Sequence, residues 1–168
     1  IMLSFGYGPD VTASRMKKLT RVAMRLEMKE GINGCSVIDD AYSSDPDSLA
    51  IALDFMVQQN QHHKRTVILS DMMQGSPDET GLYKVIAGLL SDKGVKRLIG
   101  IGPAMMRHSD LFSMEKGFYP STEAFITGFK SMAFRNETIL LKGARVFEFE
   151  RINQLLQQKS HETILEVN

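Results

Sequence analysis

Short apolar runs separated by helix-like segments are the feature that most constrains how this chain can fold. Three of these runs, TVIL at 66–69, KRLIGI at 96–101 and TILL at 138–141, have the length of strands and are apolar on neighbouring positions. Neighbouring apolar residues indicate strands that are buried on both faces. Because segments with helical spacing separate these strands, the pattern predicts a parallel sheet covered by helices on both sides.

The remaining segments complete this pattern. The predicted strands are 22–28, 36–39, 66–69, 96–101, 117–119 and 138–141. The predicted helices are 12–20, 46–59, 80–91, 121–131 and 146–158, and Pro46 suits the first turn of the second one. Together they predict a three-layer α/β/α, Rossmann-like domain over 21–158. Its sheet is expected to have about six mostly parallel strands and one antiparallel edge strand.

Composition excludes several classes of function. The chain has 168 residues, with 20 Lys and Arg against 20 Asp and Glu, so no net field attracts nucleic acid or anionic lipid. The longest apolar stretches, about six residues, are far shorter than the roughly 20 that cross a bilayer. Cys35 is the only cysteine and follows the pattern of a buried residue. We therefore expect a cytoplasmic protein that binds neither nucleic acid nor membrane.

Polar clusters follow four of the predicted strands. They are DDAYSSD at 39–45, SDMMQGS at 70–76, GPAMM at 102–106 and KGAR at 142–145. The carboxyl ends of parallel strands meet at one edge of a sheet, and α/β proteins bind their ligands there. The sequence therefore predicts a ligand site at this edge.

The first cluster has two interpretations. A carboxylate of Asp39 or Asp40 can accept the hydroxyls of a ribose, and Tyr42 can stack on a base. Alternatively, Ser44 or Asp45 only caps the helix that begins at Pro46, and Asp39 is a solvated strand end. Residue spacing leaves both interpretations open.

The other candidate residues are equally ambiguous from spacing. Lys142, Gly143 and Arg145 form a plausible clamp for a carboxylate or phosphate, or are two surface cations beside a turn. Asp71 ends a strand and could face a ligand or cap a turn. Arg25 could pair with Glu27 or face a ligand. The sequence contains no GxxxxGK[ST] motif and hence no phosphate-binding loop of that type, and no metal site is predicted, with His62 and His63 assigned to a solvated helix end.

Three segments, taken in order, resemble the Mur ligase family. They are RLEMKEGINGCSVIDDAYSSDPDSLAIALDF at 25–55, VILSDM at 67–72 and ILLKGAR at 139–145. The family carries R-x-E, D-S-Y-N-x-(N/D)-P-x-S and K-G-S-R elements in this order in its carboxy-terminal domain. Within the family, the chain is most similar to the ligases that add D-alanyl-D-alanine to UDP-N-acetylmuramoyl-tripeptide.

The resemblance implies a nucleotide-binding role for the first group of residues. The arginine of R-x-E corresponds to Arg25, and the ribose-binding aspartate corresponds to Asp40. The family's tyrosine corresponds to Tyr42, which is expected near the base or the phosphates. Its following asparagine is replaced by Ser43, which alters any side-chain contact to adenine.

The late motif implies substrate contacts. Lys142 and Arg145 correspond to the family's lysine and arginine and are expected on the incoming dipeptide or the acyl phosphate, beside Gly143. Ala144 replaces the family's serine and leaves only backbone donors at that position.

The implied activity is peptide ligation in peptidoglycan synthesis. ATP activates the carboxylate of the UDP-linked tripeptide, and the amine of D-alanyl-D-alanine attacks it. A preceding central domain is expected to hold the triphosphate and Mg²⁺, and residues 1–20 are expected to be a linker or helix leading from it. This chain would then be a lid that is inactive alone. The alternatives are a non-catalytic nucleotide-sensing or interaction module and a folylpolyglutamate-synthase-like ligase domain.

The final segment carries a second resemblance. HETILEVN at 161–168 is similar to the opening strand of an alanine racemase. It implies that 159–168 begin a linker to a racemase-like domain, which would use pyridoxal phosphate.

Overall fold

A computed structural model describes residues 26–73 and 77–157 of the chain. The predictions for Arg25, for the helix at 12–20 and for the segment 159–168 lie outside the described residues. Most of the predicted strand at 22–28 also lies outside them, and the first described strand begins at Met28.

The described strands form one six-stranded sheet. They are Met28–Glu30 (β1), Ser36–Asp40 (β2), Lys64–Ser70 (β3), Arg97–Ile101 (β4), Glu115–Tyr119 (β5) and Glu137–Lys142 (β6). Their order across the sheet is β1-β2-β6-β3-β4-β5, and only the β1–β2 pair is antiparallel. This arrangement confirms the predicted fold, including its antiparallel edge.

Five α-helices are described. They are Pro46–Gln59 (α1), Glu79–Asp92 (α2), Pro103–Arg107 (α3), Thr122–Gly128 (α4) and Glu150–Gln157 (α5). The bounds of α1 match the prediction, since the Asp45 carboxylate accepts a hydrogen bond from Ser48 N at 3.0 Å and Pro46 occupies the first turn. Helix α3 was not predicted.

Two predicted helices have wrong bounds. The helix predicted at 146–158 begins only at Glu150 because Arg145–Phe147 form a 3-10 turn and Glu148 has a left-handed φ of 50°. The helix predicted at 121–131 ends at Gly128 and continues as a 3-10 turn over Phe129–Ser131.

The helices form a layer on each face of the sheet. Helices α1, α2 and α3 pack with Leu140 of β6 on one face, and α4 and α5 pack with Ile139 and Leu141 on the other. The same alternation turns Asp40 toward the α1 face and Asp39 toward the α5 face, where Asn153 bonds it.

Strand β6 marks the point where the chain changes face. It lies between β2 and β3, whose following helices α1 and α2 cover one face, whereas α5, which follows β6, covers the other. The loops after these strands therefore diverge at the carboxyl end of β6. Such a divergence opens the crevice in which α/β sheets bind ligands.

A buried ion pair lies at the opposite, amino edge of the sheet. Both Glu137 carboxylate oxygens lie 2.7 Å from the Arg97 guanidinium, and Glu137 is 0% exposed. Thr66 donates its hydroxyl to the same carboxylate, and the Phe134 ring lies 4.6 Å from the guanidinium carbon of Arg97. The pair links β6 to β4 across β3 and needs no ligand to satisfy its charges.

Cys35 is buried on the α5 face, as the sequence predicted. Burial raises the pKa of its thiol above the ordinary value, so its reactive thiolate form is disfavoured.

We expect the native chain to react with a thiol reagent such as DTNB at least about 100-fold more slowly than the urea-unfolded chain. The rate of absorbance change at neutral pH, with and without urea, measures this, and equal rates would contradict the burial of Cys35.

The longest of the described helices, α1 and α2, have 14 residues each. Within 26–73 and 77–157, no helix is both long enough and apolar enough to cross one.

Candidate functional site

The polar clusters that follow β2, β3, β4 and β6 lie together at the carboxyl edge of the sheet. Hydrogen bonds connect the loops directly: Ser44 Oγ donates to the Asp71 carbonyl at 2.8 Å, and Ala144 N donates to Ser70 Oγ at 2.9 Å. The four strands are neighbours in the sheet, which brings their ends together. The convergence that the sequence predicted is therefore observed.

Lys142 forms a buried ion pair at the centre of this edge. Its side chain is 0% exposed, and its Nζ lies 2.7 Å from Asp40 Oδ2. The same amine donates to Ser43 Oγ at 2.8 Å. Asp40 and Lys142 are register partners at the ends of β2 and β6, which places their side chains on the same face. Burial raises the pKa of Asp40, and the charge of Lys142 opposes that rise.

The other members of the KGAR motif lie in different surroundings. Gly143 and Ala144 are buried, whereas Arg145 is exposed. A Cβ on Gly143 would lie 2.8 Å from the Phe149 ring, so the turn requires glycine here. The backbone donor of Ala144 is bonded to Ser70. Of this motif, Arg145 is thus the side chain that is accessible to a ligand.

A cleft of about 280 Å³ opens beside these loops on the α5 face. Asp39, Ala41, Tyr42, Arg145 and Glu150 line it. It combines two carboxylates with a guanidinium and a tyrosine ring that is 82% exposed. Such a lining can accept hydroxyl groups, stack on a planar ring and pair with one anionic group.

Asp39 is held rigidly in this cleft. Its Oδ1 accepts from Ala41 N at 3.2 Å, and its Oδ2 accepts from Asn153 Nδ2 on α5. Burial raises its pKa, and the Ala41 N–H opposes that rise. Asp39 was expected to bind a ribose or to be a solvated strand end, and the structure shows it half-buried. Sequence reasoning missed Asn153 and Glu150, because neither lies near a recognisable motif.

Asp71 caps the start of α3. Its carboxylate accepts from Ala104 N at 3.1 Å and from Met105 N at 2.7 Å, and the side chain is buried. Of the two roles that its position allowed, the structure supports capping. Sequence reasoning did not identify the helix that Asp71 caps.

The histidines of the QHHK segment lie away from this edge. His62 Nε2 is 3.2 Å from Ser36 Oγ, at the amino end of β2. Within the described part of the chain, no three His, Cys, Asp or Glu side chains are grouped so that they could hold a metal ion.

Comparison with known families decides the identification. The family described as Mur ligase, glutamate ligase domain, matches residues 24–145. The chain belongs to the Mur ligase family. This match covers β1 to β6 and ends at Arg145, so it includes all four clusters at the carboxyl edge in full.

Two curated relatives carry the same name, UDP-N-acetylmuramoyl-tripeptide–D-alanyl-D-alanine ligase. The one from Bacillus subtilis (strain 168) is 26% identical over 153 residues, which cover 88% of this chain and 34% of the relative. The one from Rickettsia prowazekii (strain Madrid E) is 26% identical over 149 residues, covering 86% and 33%. The chain thus spans about a third of the length of these Mur ligases.

Solved structures support the same fold. MurF from Acinetobacter baumannii superimposes with a TM-score of 0.62 at 18% identity, covering 78% of this chain and 30% of that one. The MurF ligase of Thermotoga maritima in complex with ADP gives 0.60 at 13% identity, with 78% and 30% covered. At these identities the likeness concerns the arrangement of the Mur ligase carboxy-terminal fold.

Proposed function

We propose that this chain is the carboxy-terminal domain of an ATP-dependent ligase that adds D-alanyl-D-alanine to UDP-N-acetylmuramoyl-tripeptide in peptidoglycan synthesis. One observation supports this proposal most strongly. The DDAYSSD and KGAR motifs, which resemble those of Mur ligases, meet at the carboxyl edge through the Lys142–Asp40 pair. The names of the two curated relatives supply the substrates. The chain spans about a third of their length, and we propose that the activity belongs to a longer protein with amino-terminal and central domains.

The cleft beside Arg145 suits the nucleoside part of ATP better than its phosphates. The exposed Tyr42 ring can stack on adenine, and a carboxylate can accept both ribose hydroxyls. We propose Asp39, which lines the cleft, for the ribose. Asp40, to which the family resemblance gave this role, faces the other side of the sheet and pairs with Lys142. Among the described residues that line the cleft, Arg145 is the only cation, which is too few for a triphosphate.

The triphosphate and Mg²⁺ are therefore assigned to the central domain. The absence of a GxxxxGK[ST] motif from the sequence agrees with this division. ATP supplies the phosphoryl group that activates the tripeptide carboxylate. This domain binds the nucleoside, presents Arg145 to the anionic groups of the substrates and excludes water when it closes on the central domain. It is expected to be inactive alone.

The test is a phosphate-release assay on the full-length protein with ATP, Mg²⁺, UDP-N-acetylmuramoyl-tripeptide and D-alanyl-D-alanine. We expect turnover by the full-length protein and none by the 168-residue chain.

We expect Arg145→Ala to lower kcat/KM about 30-fold, because it removes the accessible cation at the site. Arg135→Ala is the matched control, since Arg135 is an exposed arginine beside Glu137 at the amino edge, and it should leave kcat/KM unchanged.

Other outcomes separate the alternatives. A preference for glutamate and a folate acceptor over D-alanyl-D-alanine would favour the hypothesis of a folylpolyglutamate-synthase-like ligase. The family description "glutamate ligase domain" also fits that hypothesis. Turnover by the 168-residue chain alone would contradict the lid role. A full-length protein that binds ADP and ligates neither substrate would favour a nucleotide-sensing module.

The racemase resemblance of 161–168 stays a separate prediction, because these residues lie outside the described part of the chain. The reading frame downstream of Asn168 tests it. A lysine-bearing barrel domain that binds pyridoxal phosphate is the expected result there.

A further inference from the structure

Lys142 is the one cation of the KGAR motif that a ligand does not reach. Its side chain is 0% exposed, and its amine is 2.7 Å from Asp40 and 2.8 Å from Ser43. If the Lys142 ammonium group left this site, the Asp40 carboxylate would remain there without its charged partner, which is strongly unfavourable. The stable position of the amine is therefore inside the protein, between β6 and the loop after β2.

The loop 41–45 is anchored at three successive residues. Ser43 accepts from the Lys142 amine, Ser44 donates to the carbonyl of Asp71, and Asp45 caps α1. Tyr42, immediately before these anchors, is the exposed side chain of this loop. The anchors consequently determine where the Tyr42 ring projects into the cleft.

The Lys142 anchor differs from the other two in what it connects. Ser44 and Asp45 fasten the far end of the loop to β3 and α1, whereas Lys142 fastens its near end, through Asp40 and Ser43, to the last residue of β6. Strand β6 also leads directly to Arg145, through the buried Gly143 and Ala144. A single amine thus couples the position of the Tyr42 loop to the end of the strand that leads to Arg145.

We propose, on the basis of the proposed ligase function, that Lys142 is a positioning residue for the nucleotide: it holds the loop 41–45 through Asp40 and Ser43 and does not contact the dipeptide or the acyl phosphate. This assigns Lys142 a different role from the substrate contact that the family resemblance implied. Arg145 keeps the substrate-facing role.

The experiment compares Lys142→Met with Arg97→Met in the full-length ligase. Methionine is close to lysine in length and carries no charge, so Lys142→Met removes the amine and leaves Asp40 unpaired. Arg97→Met removes the cation of the other buried ion pair, which lies at the amino edge of the same sheet. Both variants lose a buried pair, but only Lys142→Met releases the loop that carries Tyr42.

We expect Lys142→Met to raise the KM for ATP about tenfold and to change the KM for D-alanyl-D-alanine less than about twofold. Arg97→Met should leave both KM values close to those of the wild type. Ser43→Ala is a milder variant, because it removes one acceptor of the amine without leaving a charge unpaired. It should raise the KM for ATP about threefold, which keeps the test decisive if Lys142→Met fails to fold.

The contrary results are distinct. A raised KM for the dipeptide, or a lowered kcat with an unchanged KM for ATP, would show that Lys142 contacts the substrate and would overturn the proposal. Equal changes in the KM for ATP in Lys142→Met and Arg97→Met would show that Lys142 contributes only to general stability, and they would overturn the proposal. A wild-type protein without ligase turnover would refute the proposed function, and calorimetric ADP affinity of the same variants would then decide the role of Lys142, with no loss in Lys142→Met overturning it.

Discussion

Replacing Glu137 with alanine is expected to lower the free energy of unfolding of the 168-residue chain by about 3–5 kcal/mol. The Glu137 carboxylate is fully buried and accepts hydrogen bonds from the Arg97 guanidinium, the Thr66 hydroxyl and the Arg135 backbone N–H. Alanine removes all of these acceptors at once. It leaves the nearly buried Arg97 with exposed Glu115, 3.9 Å away, as its described carboxylate neighbour.

Urea unfolding followed by circular dichroism measures this loss. Glu123→Ala is the control, because it breaks an ion pair with Arg151 in which both side chains are exposed, and it should leave the midpoint almost unchanged. Glu137→Gln keeps the shape and one acceptor oxygen, so its loss should fall between the two. A loss below about 1 kcal/mol for Glu137→Ala would mean that the pair is not buried in solution.

The ion pair between Glu137 and Arg97 could not be predicted from the sequence. Glu137 and Arg97 both begin strands, and charged residues at strand ends ordinarily face water. Their pairing depends on β6 lying beside β3, so that Glu137 meets Arg97 across Thr66 although 40 residues separate them along the chain. Strand order is a tertiary property, and hydrophobic periodicity does not encode it.

Local signals were sufficient where the interaction itself is local. Helix α1 begins where predicted, because Asp45 and Pro46 act within one turn of its first residue. It also ends where predicted, before Asn60, which takes a left-handed conformation. The central strands β3, β4 and β6 were identified because burial on both faces makes them apolar at neighbouring positions. The start of α5 was misplaced, since the left-handed Glu148 that delays it is a residue type that seldom takes this conformation.

The candidate site was predictable in its place but not in its contacts. The carboxyl ends of parallel strands meet at one edge in any such sheet, so the clusters were expected to converge. That Lys142 is buried and paired follows from its register with Asp40 across β2 and β6, which the sequence alone does not specify. The contribution of Asn153 to the cleft likewise depends on where α5 packs.

Replacing Gly102 with alanine is expected to lower the free energy of unfolding by about 2–4 kcal/mol, for two reasons. Gly102 has φ 128° and ψ 160°, a conformation that is essentially restricted to glycine. A Cβ there would also lie 2.4–2.5 Å from the carboxylate atoms of Asp71. Asp71 would have to move away from the backbone donors of Ala104 and Met105, and α3 would lose its cap.

Gly88→Ala is the matched control for Gly102→Ala. Gly88 lies inside α2, and a Cβ there meets nothing within 4 Å, so alanine should stabilise the chain by about 0.5–1 kcal/mol. The same substitution is thus expected to have opposite signs at the two glycines in one urea-unfolding experiment. Adding Asp71→Ala to Gly102→Ala relieves the clash, so the double variant should cost less than the sum of the single ones. Strict additivity would show instead that backbone conformation, and not the Asp71 carboxylate, is what requires glycine at the end of β4.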